Sequence, residues 1–262
     1  MSLHTLSKYL KYILFSSHKR GHGIHSPFIF NLVNKVFRNK IDTEVVNNIE
    51  RIRQRMISDR RKISVSDYGS GSEKTKSNLR KVSDIAKNSA VPPKYGILLN
   101  RLSGEFGECD IIELGSSFGI STMYLASASP QAMVHTIEGC PEISALAKSN
   151  FERSGLKNIR LYTGRFKEML PEIENQKVNP GLIFIDGDHR KEPVLDNFYK
   201  LAGMSDNKCV IILDDIHSSV QMTEAWEEIK KFERVTATVD IFRMGLVFFR
   251  EGMSRTDYII RY

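Results

Sequence analysis

Apolar residues recur at two spacings along the chain, and the change between them falls near residue 92. Leu3, Leu6, Leu10, Ile13 and Leu14 keep a helical period with Lys8 and Lys11 elsewhere on the wheel. That pattern predicts an amphipathic opening helix in need of a partner surface. Gly21, Gly23 and Pro27 interrupt it in the segment HKRGHGIHSPF, after which Phe30, Val33, Val36 and Phe37 resume a helical period. A third helix is predicted from Glu44 to Ile57. A loop rich in Ser, Gly and Lys, residues 66–77, then precedes a further helical stretch, and Pro92-Pro93 marks a boundary. The first third thus reads as mostly helical.

Beyond residue 109, short apolar runs rich in β-branched residues alternate with amphipathic helices. The runs are CDIIEL, MVHTIE, IRLYTG, GLIFID and CVIILDD; the helices are predicted from about 119, from about 141, near 193–203 and around 221–231. Strands apolar on both faces, alternating with helices, imply a doubly wound, mostly parallel sheet of the Rossmann-like α/β class. VTATVDIF and GLVFFR meet at Arg243-Met244, next to Gly245, and read as an antiparallel hairpin at the sheet edge. The domain organisation expected is a helical segment over residues 1–92, acting as a cap or lid, followed by one α/β domain over 93–262.

A composition of 41% hydrophobic and 26% charged residues excludes intrinsic disorder and collagen-like repeats. Three cysteines, Cys109, Cys140 and Cys209, with no CxxC pair, cannot build a disulfide framework or a thiolate zinc site. No run approaches the roughly 18 apolar residues that would span a bilayer, and Lys8 and Lys11 interrupt the first fifteen, so the chain is expected to be cytoplasmic. The net charge of +7 is unevenly spread: residues 1–92 carry 18 basic against 7 acidic residues, and residues 93–262 carry 20 against 24. Such a basic third fits either solvated helix faces or attraction to an anionic partner such as nucleic acid. No series of aromatic residues accompanies it, as a single-strand binder would require.

The strongest local signal is Glu113-Leu114-Gly115-Ser116-Ser117-Phe118-Gly119, which follows the apolar Ile111-Ile112 and precedes a helix. Gly115 permits a tight turn and close approach of a ligand, and Gly119 lets helix and strand pack closely. Twenty-five residues after Glu113 the next strand ends in Glu138, placed to accept both hydroxyls of a ribose. An adenosine-type cofactor follows. Glu113 would repel a pyrophosphate but attract an ammonium and a sulfonium, and the spacing GxxxG lacks the GxGxxG of a dinucleotide loop. S-adenosylmethionine (SAM) therefore fits better than a nicotinamide dinucleotide. Asp67-Tyr68-Gly69-Ser70-Gly71 imitates the loop but has no acidic strand end after it at the right distance, and reads as a connector or lid.

IIELGSSFGISTMYLA, HTIEG, FIDGDH and VIILDDIHSS, in that order, resemble the class I SAM-dependent methyltransferases, in particular their bacterial O-methyltransferase-like group. The resemblance covers roughly residues 93–262. It implies a seven-stranded sheet with a reversed last strand, with Glu113, Gly115, Ser116, Ser117 and Gly119 around the methionine moiety and Glu138-Gly139 at the ribose. Thr163-Gly164-Arg165-Phe166 falls where that family often carries Gly-Asp toward adenine, and Arg165 departs from the pattern because it cannot accept that hydrogen bond. Gly164, Arg165, Phe166 and Asp186 complete the expected cofactor-binding set.

Two strands end in acidic clusters, Asp186-Gly187-Asp188-His189 and Asp214-Asp215-Ile216-His217. Methyl transfer is an in-line displacement in which the protein aligns the acceptor and removes its proton. His189 or His217 is a candidate base. Alternatively Asp186, Asp214 and Asp215 converge on Mg²⁺ or another divalent cation that acidifies a bound hydroxyl. That arrangement resembles the catechol-type enzymes, whose ligand set closes with Asp-Asn where this chain has Asp214-Asp215. Asp186 and Asp215, with His189 and His217, are thus the candidate catalytic residues, and purely structural acids are the third reading. His18, His22 and His25 read as a basic turn, and Met222 with Trp226 as helix core. The expected activity is O-methylation of a small-molecule acceptor. RNA methylation through the basic third and a non-catalytic SAM-binding module are the alternatives; oligomeric state is left open.

Overall fold

The computed structural model describes residues 3–16, 23–66 and 78–262. In chain order its elements are α1 (Leu3–Phe15), α2 (Pro27–Asn34), α3 (Thr43–Ser58), β1 (Lys62–Val65), β2 (Asn78–Lys81), α4 (Val82–Ser89) and α5 (Pro93–Phe106). There follow β3 (Asp110–Leu114), α6 (Ile120–Ala128), β4 (Val134–Glu138), α7 (Pro141–Ser154), β5 (Ile159–Thr163), α8 (Phe166–Asn175) and β6 (Pro180–Ile185). The chain closes with α9 (Lys191–Met204), β7 (Val210–Leu213), α10 (Val220–Ile229), β8 (Ala237–Asp240), β9 (Gly245–Phe248) and β10 (Thr256–Ile259). Local chemistry explains many of the boundaries. Asp42 accepts from the Glu44 amide at 2.8 Å to start α3, and Ser219 accepts from Met222 at 3.1 Å to start α10. Pro141 opens α7, and Gly155, at φ +77°, closes it in the left-handed conformation.

Two compact units emerge, Lys40–Asn179 and a second formed by Met1–Asn39 with Pro180–Tyr262. They do not coincide with a division at residue 92. In the first unit β3, β4 and β5 run parallel, with β4 paired to both neighbours. Its N-terminal elements are not purely helical: β1 and β2 form an antiparallel pair, Lys62 opposite Lys81, flanking the polar loop. Met56 of α3, Val65 of β1 and Val82 and Ala86 of α4 enclose Phe118 of the glycine loop together with Cys140 and Ile143 of α7's start. Residues before Pro92 therefore form part of the wall behind that loop.

In the second unit β6 and β7 are parallel, β9 is antiparallel to both β7 and β8, and β10 runs parallel to β8. The hairpin is present as expected, but β10 covers the edge that β8 was expected to form. With the five strands β6–β10 in this unit and, besides the β1–β2 pair, the three strands β3–β5 in the other, the described residues exceed the seven strands that the resemblance implied. Trp226 and Met222 are buried in the core, and Gly245 is bare because a Cβ there would lie 2.6 Å from Trp226 Cζ3.

The opening helix forms, but turns a different face inward. Leu3 and Leu14 are 88% and 78% exposed, while Tyr12 is buried and stacks with Tyr9 against Phe242. The Tyr12 hydroxyl donates to the Ile260 carbonyl at 2.8 Å and accepts from the Tyr262 amide at 3.1 Å. Cys109, Cys140 and Cys209 form no disulfide, and no helix among the described residues is long and apolar enough to cross a membrane.

Candidate functional site

The first unit builds the glycine loop between β3 and α6. Gly115, Ser117 and Gly119 all have positive φ, at +93°, +46° and +80°, so the chain leaves the strand through three left-handed residues. Glu138, at the end of β4, pins this turn. Its Oε2 accepts from the Ser117 amide at 2.9 Å and its Oε1 from the Cys140 amide at 2.8 Å. Burial pushes its carboxyl above the usual range, while the amides of Cys140, Ser117 and Gly139 pull the other way. A carboxylate has about four lone-pair positions, so these bonds leave acceptor capacity on both oxygens.

Glu113 departs from the expectation. It is 0% exposed, and its Oε2 accepts from Thr122 at 2.5 Å and from Thr136 at 2.6 Å, behind the loop. Burial raises its pKa, against the hydroxyls of Ser121, Thr122 and Thr136. One oxygen of this side chain thus braces the loop from within the protein, while Glu113 Oε1 has no hydrogen-bond partner among the described residues, and neither has the buried Ser116 Oγ. Two buried polar atoms without partners are costly and rare.

The remaining loop residues are placed as follows. The Gly164 amide donates to the Glu138 carbonyl at 3.0 Å, which brings the turn after β5 beside Glu138. Arg165 is exposed and starts α8, its amide donating to Glu168 Oε2 at 3.3 Å; Phe166 is half-buried in the first turn. Asn150 of α7 donates to the Phe118 carbonyl at 2.9 Å, and Ser89 Oγ lies 2.9 Å from Ser117 Oγ. Neither contact was read from the sequence, since each joins residues about thirty positions apart.

The second unit gathers the acidic strand ends of β6 and β7. Asp214 is buried, and Arg243, in the turn between β8 and β9, grips it with both arms: Nη2 to Oδ2 at 2.7 Å and Nε to Oδ1 at 3.0 Å. Arg243 Nη2 also lies 3.5 Å from Asp215 Oδ1. Burial and the Asp215 charge push the Asp214 carboxyl up to about 6, against the Arg243 charge. Burial disfavours the Arg243 cation, but Asp214, Asp215 and Asp186 outweigh it and raise its pKa. Asp215 adopts φ +53°, which aspartate tolerates better than most residues.

These contacts correct the metal expectation. Asp186, Asp214 and Asp215 do not fit a divalent ion, because a guanidinium holds both oxygens of the most buried carboxylate. Among the described residues no group of His, Cys, Asp or Glu side chains is arranged to hold a metal. The two histidines also part company. His217 is buried, with Nε2 2.7 Å from Asp240 Oδ2 and Nδ1 3.4 Å from Thr223 Oγ1. His189 is 43% exposed, with Nε2 3.9 Å from Asp186 Oδ1. His25 is exposed; His18, His22 and the loop Asp67 to Gly71 lie outside the described residues.

The basicity of the first third has a bland counterpart. A cavity of about 400 Å³ in the first unit is lined by Arg55, Arg61, Arg153, Asp59, Met56 and Leu146, among others. Arg55 and Arg153 occupy the last turns of α3 and α7, where a cation complements the carbonyl ends, and Arg61 pairs with Asp59.

Residues 112–216 match the family model described as a methyltransferase domain. A catechol O-methyltransferase of Niastella koreensis is 31% identical over 130 residues, 48% of this chain and 58% of that protein. The chain spans about half the length of the curated relatives it matches. Among solved structures, a Bacillus cereus O-methyltransferase in complex with S-adenosylhomocysteine (SAH) shares the fold at TM-score 0.57 and 23% identity, covering 79% of this chain and 92% of that one. An SAH-bound methyltransferase of Podospora anserina does so at TM-score 0.61 and 13% identity, covering 81% and 90%. Residues 112–216 are thus similar to a methyltransferase domain, and the chain shares its fold with solved O-methyltransferases.

Proposed function

We propose that this chain is a SAM-dependent methyltransferase that methylates an oxygen of a small-molecule acceptor. The observation that carries the reading is Glu138, held by the Ser117 and Cys140 amides with lone pairs remaining, at the end of the strand next to the glycine loop. The unpartnered Glu113 Oε1 and Ser116 Oγ supply a second reason, because a ligand rich in N–H and O–H donors relieves the cost of burying them. Burial raises the Glu113 carboxyl and a nearby cation favours its charged form, which couples its charge to that ligand.

When bound, SAM supplies an activated methyl group and a thioether leaving group. The chain's part is to bind, orient and deprotonate. Glu138 accepts the two ribose hydroxyls, which fixes the nucleoside against the loop. The bare backbone at Gly115 admits the ligand without a Cβ in the way, while that at Gly119 makes room for the Phe151 ring. His189 is the acceptor's base: it is exposed and not locked as His217 is, and taking the hydroxyl proton makes an imidazolium that Asp186 stabilises at 3.9 Å. The helical segment contributes to acceptor choice from the α4 end, through Ser89 against Ser117.

Calorimetry tests this reading. SAM and SAH are expected to bind, and Glu138→Ala to weaken both by more than about tenfold, or 1.4 kcal/mol, with native circular dichroism. Unchanged affinity in the folded variant removes the ribose assignment, and tight NAD uptake without SAM binding removes the function.

A further inference from the structure

The acidic cluster of the second unit already contains a cation. Three carboxylates, Asp186, Asp214 and Asp215, bear electrostatically on one guanidinium, and that of Asp214 is held bidentately at 2.7 and 3.0 Å. A strand-end cluster of this charge needs a counter-ion, because burying Asp214 as an ion costs too much otherwise. The hairpin turn supplies it through a specific construction. Phe242 has φ +71°, its amide donates to Asp240 Oδ1 at 2.7 Å, and the Arg243 carbonyl accepts from the Ile216 amide at 3.2 Å. Backbone bonding thus fastens the Arg243 turn to the segment that carries Asp214 and Asp215. The arginine is aimed by its backbone, unlike a long surface side chain that finds an acid by chance.

We propose that Arg243 is the resident cation of this cluster, seated where a divalent ion would need to coordinate, and that it keeps the chemistry of the proposed methyltransferase independent of divalent metal. Arg243 is a positioning residue in this account. It pairs with Asp214, offsets part of the Asp215 charge and fixes the Asp214 orientation, which a planar fork does and an ammonium does not. The metal-independence clause rests on the methyltransferase reading; the seat itself does not.

The test uses Mn²⁺ as the probe, followed by the electron paramagnetic resonance of the unbound ion, on the full chain. The wild type is expected to show no saturable uptake below about millimolar Mn²⁺, the weak end of carboxylate sites. Arg243→Gln, checked for native near-ultraviolet dichroism, exposes the carboxylates and is expected to take up one ion at least about tenfold more tightly, as oxygen-rich sites do. Adding Asp214→Asn abolishes that uptake. A folded Arg243→Gln with no uptake overturns the proposal. So does stoichiometric uptake by the wild type that Asp214→Asn removes, and this arm decides even if Arg243→Gln fails to fold. Methyl transfer by the wild type is expected to be unchanged in excess chelator; loss that Mg²⁺ restores overturns the metal-independence clause. Absence of SAM binding would defeat the functional reading and leave the Mn²⁺ result standing.

Discussion

Substituting alanine at Gly119 separates two costs that usually arrive together. Gly119 has φ +80°, and a Cβ there would lie 2.6 Å from Phe151 Cζ, with Cε1 nearer still. Left-handed backbone costs a residue with a Cβ about 1–2 kcal/mol, and forcing carbon into a packed ring costs about 1–3 kcal/mol. Alanine restricts the unfolded chain and returns about 0.4–1 kcal/mol. The net expectation for Gly119→Ala is a loss of about 1–4.5 kcal/mol. Gly155 supplies the control, since its φ is +77° but nothing lies within 4 Å of its Cβ position. Gly155→Ala bears only the backbone cost, so about 0–1.5 kcal/mol. Urea unfolding measures both, and SAH calorimetry asks a second question. Phe151 belongs to α7, whose Asn150 holds the Phe118 carbonyl, so moving the ring disturbs the loop. SAH affinity is expected to fall in Gly119→Ala and to hold in Gly155→Ala. Equal destabilisation of the two variants would refute the packing argument. Equal SAH affinity in all three proteins would refute the placement of the loop against the ligand.

Two further outcomes follow from the second unit. Asp214 is raised from 3.8 to about 6, so its contribution to stability is full below pH 3.8 and is lost as pH rises through 6. Urea unfolding at half-unit steps is therefore expected to show the stability of wild type relative to Asp214→Asn falling across pH 4–6, and a rise would contradict the burial argument. Tyr12→Phe removes the donor to Ile260 and the acceptor for Tyr262 and is expected to cost about 1–3 kcal/mol. Faster hydrogen exchange at the Tyr262 amide checks the cause, and unchanged exchange counts against it.

Much of the fold was legible because its strands are buried on both faces. Ile111-Ile112, Ile183-Phe184 and Ile211-Ile212 are apolar runs too short for helices, and each is followed by a helix, amphipathic after the last two and buried nearly all round after the first. What escaped was held by partners distant in sequence. β10 is four residues, Thr256–Ile259, and exists as a strand because β8, some twenty positions earlier, offers an edge. β1 and β2 are equally short, four residues each, so neither shows a period by itself. In α1 the leucine spacing was real but did not select the buried face. Tyr12 did, because a buried tyrosine carries a large ring and a hydroxyl, and the Ile260 carbonyl was there to accept.

The site divides along the same line. Gly115, Gly119 and Glu138 announce themselves because each role is written in a single residue: a left-handed turn, a close approach, a carboxylate at a strand end. The acidic pair Asp214-Asp215 announces only a need for positive charge, and local sequence cannot say whether an ion or a side chain meets it. Arg243 stands 29 positions later, in a turn that reads merely as the link between two strands. Its relevance comes from β9 pairing antiparallel with β7, Gly245 opposite Leu213, which returns the hairpin turn to the end of the strand where the acids begin. An acidic strand end in a sheet with a reversed neighbour must therefore be balanced against basic residues in that neighbour's turn before a metal is invoked. Here that balance is struck by Arg243, which holds both oxygens of Asp214.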